Sequence, residues 1–213
     1  MSYAVKEIVY TIQGEGANTG RPAVFCRFAG CNLWSGYERD RAKAVCRFCD
    51  TDFVGTDGPG GGRFQSASAL ARAVCEAWPR TSGRFVQPFV VCTGGEPLLQ
   101  LDEELIVELH KVGFEVAIDT NGTRSVPHGV DWICVSPKAG ADLVVRTGDE
   151  LKLVFPQNGA EPELFEHLAF RYFFLQPMNG SEREKNVELA LKYCLEHPVW
   201  RLSLQMHKLL GVP

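Results

Sequence analysis

Residues 89–97 read Phe89-Val90-Val91-Cys92-Thr93-Gly94-Gly95-Glu96-Pro97, and this stretch decides the fold class. A short apolar, β-branched run is a buried strand, Thr-Gly-Gly-Glu is a polar strand end, and the proline is suited to the first position of a helix. Outward from it the same kind of run recurs. Strands are expected at residues 23–28, 115–118, 132–135, 151–155, 172–175 and 201–204. Helical patterns occupy residues 66–78, stopping before Pro79; 98–112, ending at Gly113; and 182–196, ahead of Pro198. Strand–helix alternation implies a parallel sheet with helices packed on it. Residues 161–168 predict a shorter helix, while 121–130 and 139–149 read as loops, so the helix layer is incomplete. Too few helices remain for an eightfold barrel, and the expected class is α/β: an open, partial β/α barrel forming one domain over residues 1–213.

Composition narrows the function classes. The formal net charge of -4, with both signs interspersed, lacks the basic footprint that phosphate-backbone binding needs, which argues against nucleic acid as a direct partner. No stretch is long and apolar enough to span a bilayer, and the first residues carry no basic segment followed by an apolar run, so a cytoplasmic protein is expected. In that compartment the eight cysteines point to metal or catalytic roles rather than disulfides.

Cys75, Cys92, Cys134 and Cys194 fall singly in apolar segments and read as core thiols. Cys31-x14-Cys46-x2-Cys49 is different, because three thiolates in one loop suit a cubane iron–sulfur cluster with one iron left open. Adding Cys26 gives four soft ligands, enough for the closed tetrahedral zinc of a nucleotide-binding module. Cys26 alternates with Val24 and Phe28 as a core-facing strand residue would, but the spacing by itself leaves both readings open. The glycine-rich residues 55–62 read as a loop, since no Walker lysine and hydroxyl follow them.

Polar groups gather at strand ends: Thr93-Gly94-Gly95-Glu96, Asp119-Thr120-Asn121, Ser136-Pro137-Lys138 and Gln176-Pro177-Met178-Asn179. In a β/α barrel such ends form the functional mouth. The cysteine loop after the first expected strand, Phe48 between its last two cysteines, and Thr93-Gly94-Gly95-Glu96-Pro97 together resemble the radical S-adenosylmethionine superfamily. Fourteen residues, rather than three, separate the first two cysteines. That departure, with Gln13-Gly14-Glu15-Gly16, Cys49-Asp50-Thr51 and the short chain, is similar to the 7-carboxy-7-deazaguanine synthase family.

The resemblance implies a lyase that contracts the ring of 6-carboxy-5,6,7,8-tetrahydropterin to 7-carboxy-7-deazaguanine with loss of ammonia, on the route to queuosine. It implies a [4Fe-4S] cluster on Cys31, Cys46 and Cys49, catalytic S-adenosylmethionine, magnesium, a homodimer and an electron donor such as flavodoxin. For S-adenosylmethionine it points to Phe48, Asp50, Gly94, Gly95, Glu96, Ser136, Pro137, Lys138, Gln176, Pro177, Met178 and Asn179. For the pterin it points to Ile12, Gln13, Gly14, Glu15, Arg27, Thr93 and the α-carboxylate of Pro213, with magnesium at Thr51. Residue chemistry is compatible with these roles: glycines admit close backbone approach, a guanidinium matches a carboxylate bidentately, and magnesium takes hard oxygens. Each group also has a plainer reading: strand–helix turn, surface arginine, capping threonine, frayed terminus.

Overall fold

In the computed structural model, which describes residues 2–79 and 86–212, the expected parallel strands are joined by an antiparallel pair at the N-terminus. The strands are β1 (Tyr3–Ile12), β2 (Pro22–Phe28), β3 (Gly62–Phe64), β4 (Phe89–Gly94), β5 (Glu115–Thr120), β6 (Trp132–Val135), β7 (Thr147–Phe155), β8 (Ala169–Pro177) and β9 (Trp200–Leu202). They form one open sheet in the order β3-β1-β2-β4-β5-β6-β7-β8-β9. β1 runs antiparallel to both neighbours, and from β2 onward every pairing is parallel. An open β/α sheet with sparse helices is thus what the chain builds.

Four helices are described: α1 (Ala67–Ala77), α2 (Glu103–Lys111), α3 (Arg183–Glu196) and α4 (Met206–Leu210). Ser66 caps α1 by accepting from Ala69 N at 3.2 Å, and Asp102 caps α2 by accepting from Leu105 N at 2.9 Å. Leu70 and Val74 of α1, with Leu105, Ile106 and Leu109 of α2, pack on Val24, Cys26, Phe28, Val90 and Cys92 of the convex sheet face. Such fully buried side chains stabilise by roughly 1.5–3 kcal/mol each. Ala190 of α3 joins Leu151, Leu153, Leu175 and Trp200 in a second cluster. On the concave face Ala23, Phe89, Val91 and Ala117 form an apolar floor with Phe25 and Trp132.

Several elements differ from expectation, each for a local reason. β1 has no expected counterpart: its register shifts between Val5 and Glu7, and that bulge breaks the period-two pattern. Gly62–Phe64, at the end of the expected loop, becomes a strand by pairing with Tyr3–Val5. The expected helix at 98–112 splits into a 3₁₀ turn at Pro97–Leu99 and α2, because Asp102 restarts the chain as an N-cap. Residues 161–168 hold only a 3₁₀ turn, Pro162–Leu164, and β7 begins at Thr147 inside the expected loop. The expected strand at 201–204 lies at Trp200–Leu202, and the tail forms α4.

Candidate functional site

The strand ends predicted to form the mouth converge above the concave face. β2 leads directly into the loop carrying Cys31, and Gly95 locks that junction, since a β-carbon there would stand 2.0 Å from Gly30 O. The glycine pair is therefore required first by the neighbouring backbone, not by a ligand. Glu96 N donates to Gly30 O at 2.9 Å, while Cys46 N and Val45 N both donate to Leu33 O, at 3.3 and 3.1 Å. Arg41, unremarked in the sequence, donates to the carbonyls of Arg47 (2.9 Å) and Cys49 (3.1 Å) and lies 4.1 Å over the Trp34 ring. Three free thiols, Cys31, Cys46 and Cys49, thereby line one cavity with Gly94, Gly95, Ser136 and Lys138.

The thiols are not equivalent. The hydrogen bond from Cys46 draws Cys49 below the ordinary thiol value, with further donation from Thr51, while Cys46 is held high by that same bond and by burial. Burial raises Cys31. Cys26 is 1% exposed within the convex core, paired in register with Cys92, so it is remote in character from the loop thiols and the four-thiolate zinc arrangement is not built. Three thiols on a loop, opening to a cavity, fit a cluster that leaves one iron free.

The residues expected to hold S-adenosylmethionine flank this loop. Phe48, Asp50, Lys138, Gln176, Pro177, Met178 and Asn179 line one contiguous recess with Cys46 and Cys49. Burial lowers Lys138, whose ammonium donates to Ser136 O and Oγ, both at 2.6 Å. Gln176 Oε1 is buried with no hydrogen-bond partner, as expected of a wall group that meets a polar ligand. Pro137 accepts from Gln157, and Asn179 donates to Asp50 at 3.3 Å. Glu96 is wholly buried and spends its carboxylate on Leu98 N (3.0 Å), Thr120 Oγ1 (2.6 Å) and Asn121 N (2.7 Å). It braces the strand end, and the cavity wall here is Gly94 and Gly95.

A second cavity, of about 290 Å³, opens beside the first and is lined by Ile12, Gln13, Glu15, Arg27, Thr51 and Thr93. Gln13 is buried, and its Oε1 accepts from Glu15 N at 3.1 Å. Gly14 lies behind this wall, its carbonyl accepting from Met206 N at 2.9 Å. Gly16 must be glycine, because its φ is +66° and a β-carbon would meet Glu150 at 2.5 Å. Arg27 points inward as its alternation predicts, with Nε donating to Glu7 Oε1 at 2.7 Å. Pro213 lies outside the described residues.

Residues that the sequence reading did not assign complete the walls: Glu7, Asp119, Gln205 and His207 of the second cavity, and Lys152 of the first. One signal was available. In Glu150-Leu151-Lys152-Leu153 the charged residues alternate with apolar ones, which is how a strand presents a polar concave face. Ligating atoms of Asp119, Cys134 and Glu150 lie within 4.8 Å of one another, with Lys152 as the adjacent positive charge.

No family model matches the chain. Curated relatives do: the 7-carboxy-7-deazaguanine synthase of Bordetella pertussis is 61% identical over 213 residues, covering 100% of both chains. That of Caulobacter vibrioides is also 61% identical over 213 residues, again 100% of both. That of Nitratidesulfovibrio vulgaris is 58% identical over 216 residues, with the same full coverage. Among solved structures, the crystal structure of QueE from Escherichia coli matches with a TM-score of 0.72 and 28% identity, covering 97% of this chain and 95% of that one. With end-to-end identity of this order and a three-thiol loop set over an open β/α sheet, the chain belongs to the 7-carboxy-7-deazaguanine synthase family of radical S-adenosylmethionine enzymes.

Proposed function

We propose that this chain, as one radical S-adenosylmethionine domain over its full length, converts 6-carboxy-5,6,7,8-tetrahydropterin to 7-carboxy-7-deazaguanine with loss of ammonia. One geometric fact carries the reading: the thiol cavity and the Gln13–Arg27 cavity share Glu15, Asp50, Thr51, Thr93, Asp119 and Gln205 as a common wall. A cofactor held against the thiols therefore faces a substrate held against Arg27. Held by Cys31, Cys46 and Cys49 and by the adjoining recess, the cluster and S-adenosylmethionine would supply the radical chemistry of the reaction.

The chain's own residues bind, orient and exclude water. Cys31, Cys46 and Cys49 hold the cluster, and Ser136–Lys138 and Gln176–Asn179 hold S-adenosylmethionine. With Nε committed to Glu7, Arg27 offers its Nη pair to the substrate carboxylate. Gln13 and the Glu15 carboxylate face the pterin's N–H edge. Phe25 and Val9 give that cavity an apolar side that sheds water. Thr51 would offer a hard hydroxyl oxygen to magnesium, which would supply positive charge for binding the substrate. We further assign a homodimer, a flavodoxin-type electron donor and a cytoplasmic setting; among the described residues no helix is long and apolar enough to cross a membrane.

Anaerobic reconstitution with iron and sulfide, then incubation with reductant, S-adenosylmethionine, magnesium and the tetrahydropterin, tests this directly. The expected result is 7-carboxy-7-deazaguanine and ammonia by mass spectrometry, with S-adenosylmethionine recovered. Zinc in place of iron, with no product, would overturn it. Thr51→Ala is expected to weaken the magnesium dependence of turnover while S-adenosylmethionine binding persists, and an unchanged magnesium titration removes Thr51 from the site.

A further inference from the structure

Lys152 is a buried charge. It projects from the middle of β7 onto the concave face with its side chain 6% exposed, while Leu151 and Leu153 on either side enter the convex core. An ammonium in such a place loses several kcal/mol of hydration and persists only where anions compensate. Two carboxylates do so. Lys152 Nζ lies 2.7 Å from Glu15 Oε2 and 3.7 Å from Asp119 Oδ1. Cys134 and Glu150 also face it, and Lys138 and His207 stand within electrostatic reach as the nearby basic groups.

The partners matter more than the lysine. Glu15 and Asp119 form part of the wall shared by both cavities, whereas Lys152 lines the thiol cavity and not the one holding Arg27. Glu15 is held from behind: Gln176 Nε2 and Gln205 Nε2 donate to Oε1 at 3.1 and 3.0 Å, and Lys152 takes one side of Oε2. Burial alone drives the Glu15 carboxyl upward, but the charge and hydrogen bond of Lys152, with Gln205, pull it down to about 2. Without the lysine, the Glu15 carboxyl would keep the burial that drives it upward and lose the charge that pulls it down.

We propose that Lys152 is a positioning residue whose ammonium keeps Glu15 as a carboxylate on the wall of the pterin cavity throughout the working pH range. This rests on the pterin reading of that cavity. The chemistry recognised is a heterocycle presenting N–H donors, to which an ionised carboxylate is an acceptor and a protonated one is a poorer and differently directed partner.

Reconstituted wild-type enzyme, Lys152→Met and Lys152→Arg are compared by fluorescence titration with 6-carboxypterin between about pH 5 and 7.5, alongside the pH dependence of kcat/KM. Wild type and Lys152→Arg are expected to bind with little change across this range. Lys152→Met is expected to lose affinity by up to about tenfold per pH unit on the acid side of the raised carboxyl pKa and to recover toward the alkaline end. A loss of the same factor at every pH, or no loss, overturns the proposal. Should Lys152→Met fail to fold, ¹³C-carboxyl spectra of the wild type decide: the Glu15 resonance, identified by its absence in Glu15→Gln, is expected to be static down to about pH 4. Titration at or above the ordinary value of about 4.3 overturns the proposal. Wild type that binds no 6-carboxypterin at any pH, with the expected Glu15 titration, instead removes the pterin reading of the cavity.

Discussion

Cys31, Cys46 and Cys49 occupy a loop whose backbone is tied by Leu33 O, Arg41 and the Gly94–Gly95 strand end, so each thiol has a fixed place. Alanine at any of the three is expected to abolish cluster assembly, because each removes a ligand that no neighbour replaces. Cys26→Ala leaves a small core cavity at a cost of about 1 kcal/mol and is expected to keep its iron. Iron and sulfide counts on the four variants check this, and metal loss in Cys26→Ala would contradict it. Arg27→Ala is expected to weaken pterin binding by about 2–5 kcal/mol with cluster content unchanged. It leaves Glu7 without its Nε partner as well as the substrate carboxylate without its fork. Arg27→Lys retains charge but not the planar geometry, and poor rescue of the dissociation constant is expected. The inward direction of Arg27 was legible from strand alternation. Glu7 was not, because the β1 bulge hides which of its residues face inward.

At the scale of elements, Asp102 shows how a cap can also be a tertiary joint. Its carboxylate receives Leu105 N at the start of α2 and the Tyr3 hydroxyl of β1 at 2.8 and 3.0 Å. Asp102→Ala removes the cap and strands a nearly fully buried hydroxyl, an expected loss of about 2–3 kcal/mol. Urea denaturation measures it, and Asp102→Asn, which still caps, is expected to recover most of the difference. The capping acid, followed by Glu103 and Glu104, is a start signal readable in the sequence. Its second role depends on β1 lying beside the helix layer. α4 is a similar case: Met206 N reaches Gly14 O, Gln205 reaches Glu15, and Lys208 pairs with Asp50. The C-terminal segment thereby clasps the N-terminal wall to the cysteine loop.

At the scale of the whole molecule, the carboxyl groups of the site contribute to acid stability through their shifted titration. Glu15 falls from 4.5 to about 2 on folding, so the unfolded chain takes up that proton first as the solution is acidified. Its stabilisation, about 3 kcal/mol, is present above pH 4.5 and lost as pH falls toward 2. Glu150 and Glu96 are raised by burial and act in the opposite sense, contributing stability at low pH that fades as pH rises through their folded values. Unfolding midpoints of wild type and Glu15→Gln between pH 4.5 and 2 check the first term. The variant is expected to be less stable at neutral pH and to show a flatter acid slope.

What the sequence by itself determined is local: apolar runs marked the central strands, prolines and a glycine marked the helix ends, and the Cys31–Cys46–Cys49 spacing with Thr93-Gly94-Gly95-Glu96 marked the mouth. Such signals act within a few residues, where propensity and periodicity operate. Tertiary structure alone decided that Cys26 enters the core away from the loop thiols, that the Gly94–Gly95 pair answers first to the backbone of β2 and its loop, and that Lys152 meets Glu15 and Asp119. Those placements join β2, β4, β5, β7 and the segment after β1. They depend on strand register and on which face each strand buries, quantities that no segment of the chain specifies until its neighbours are in place.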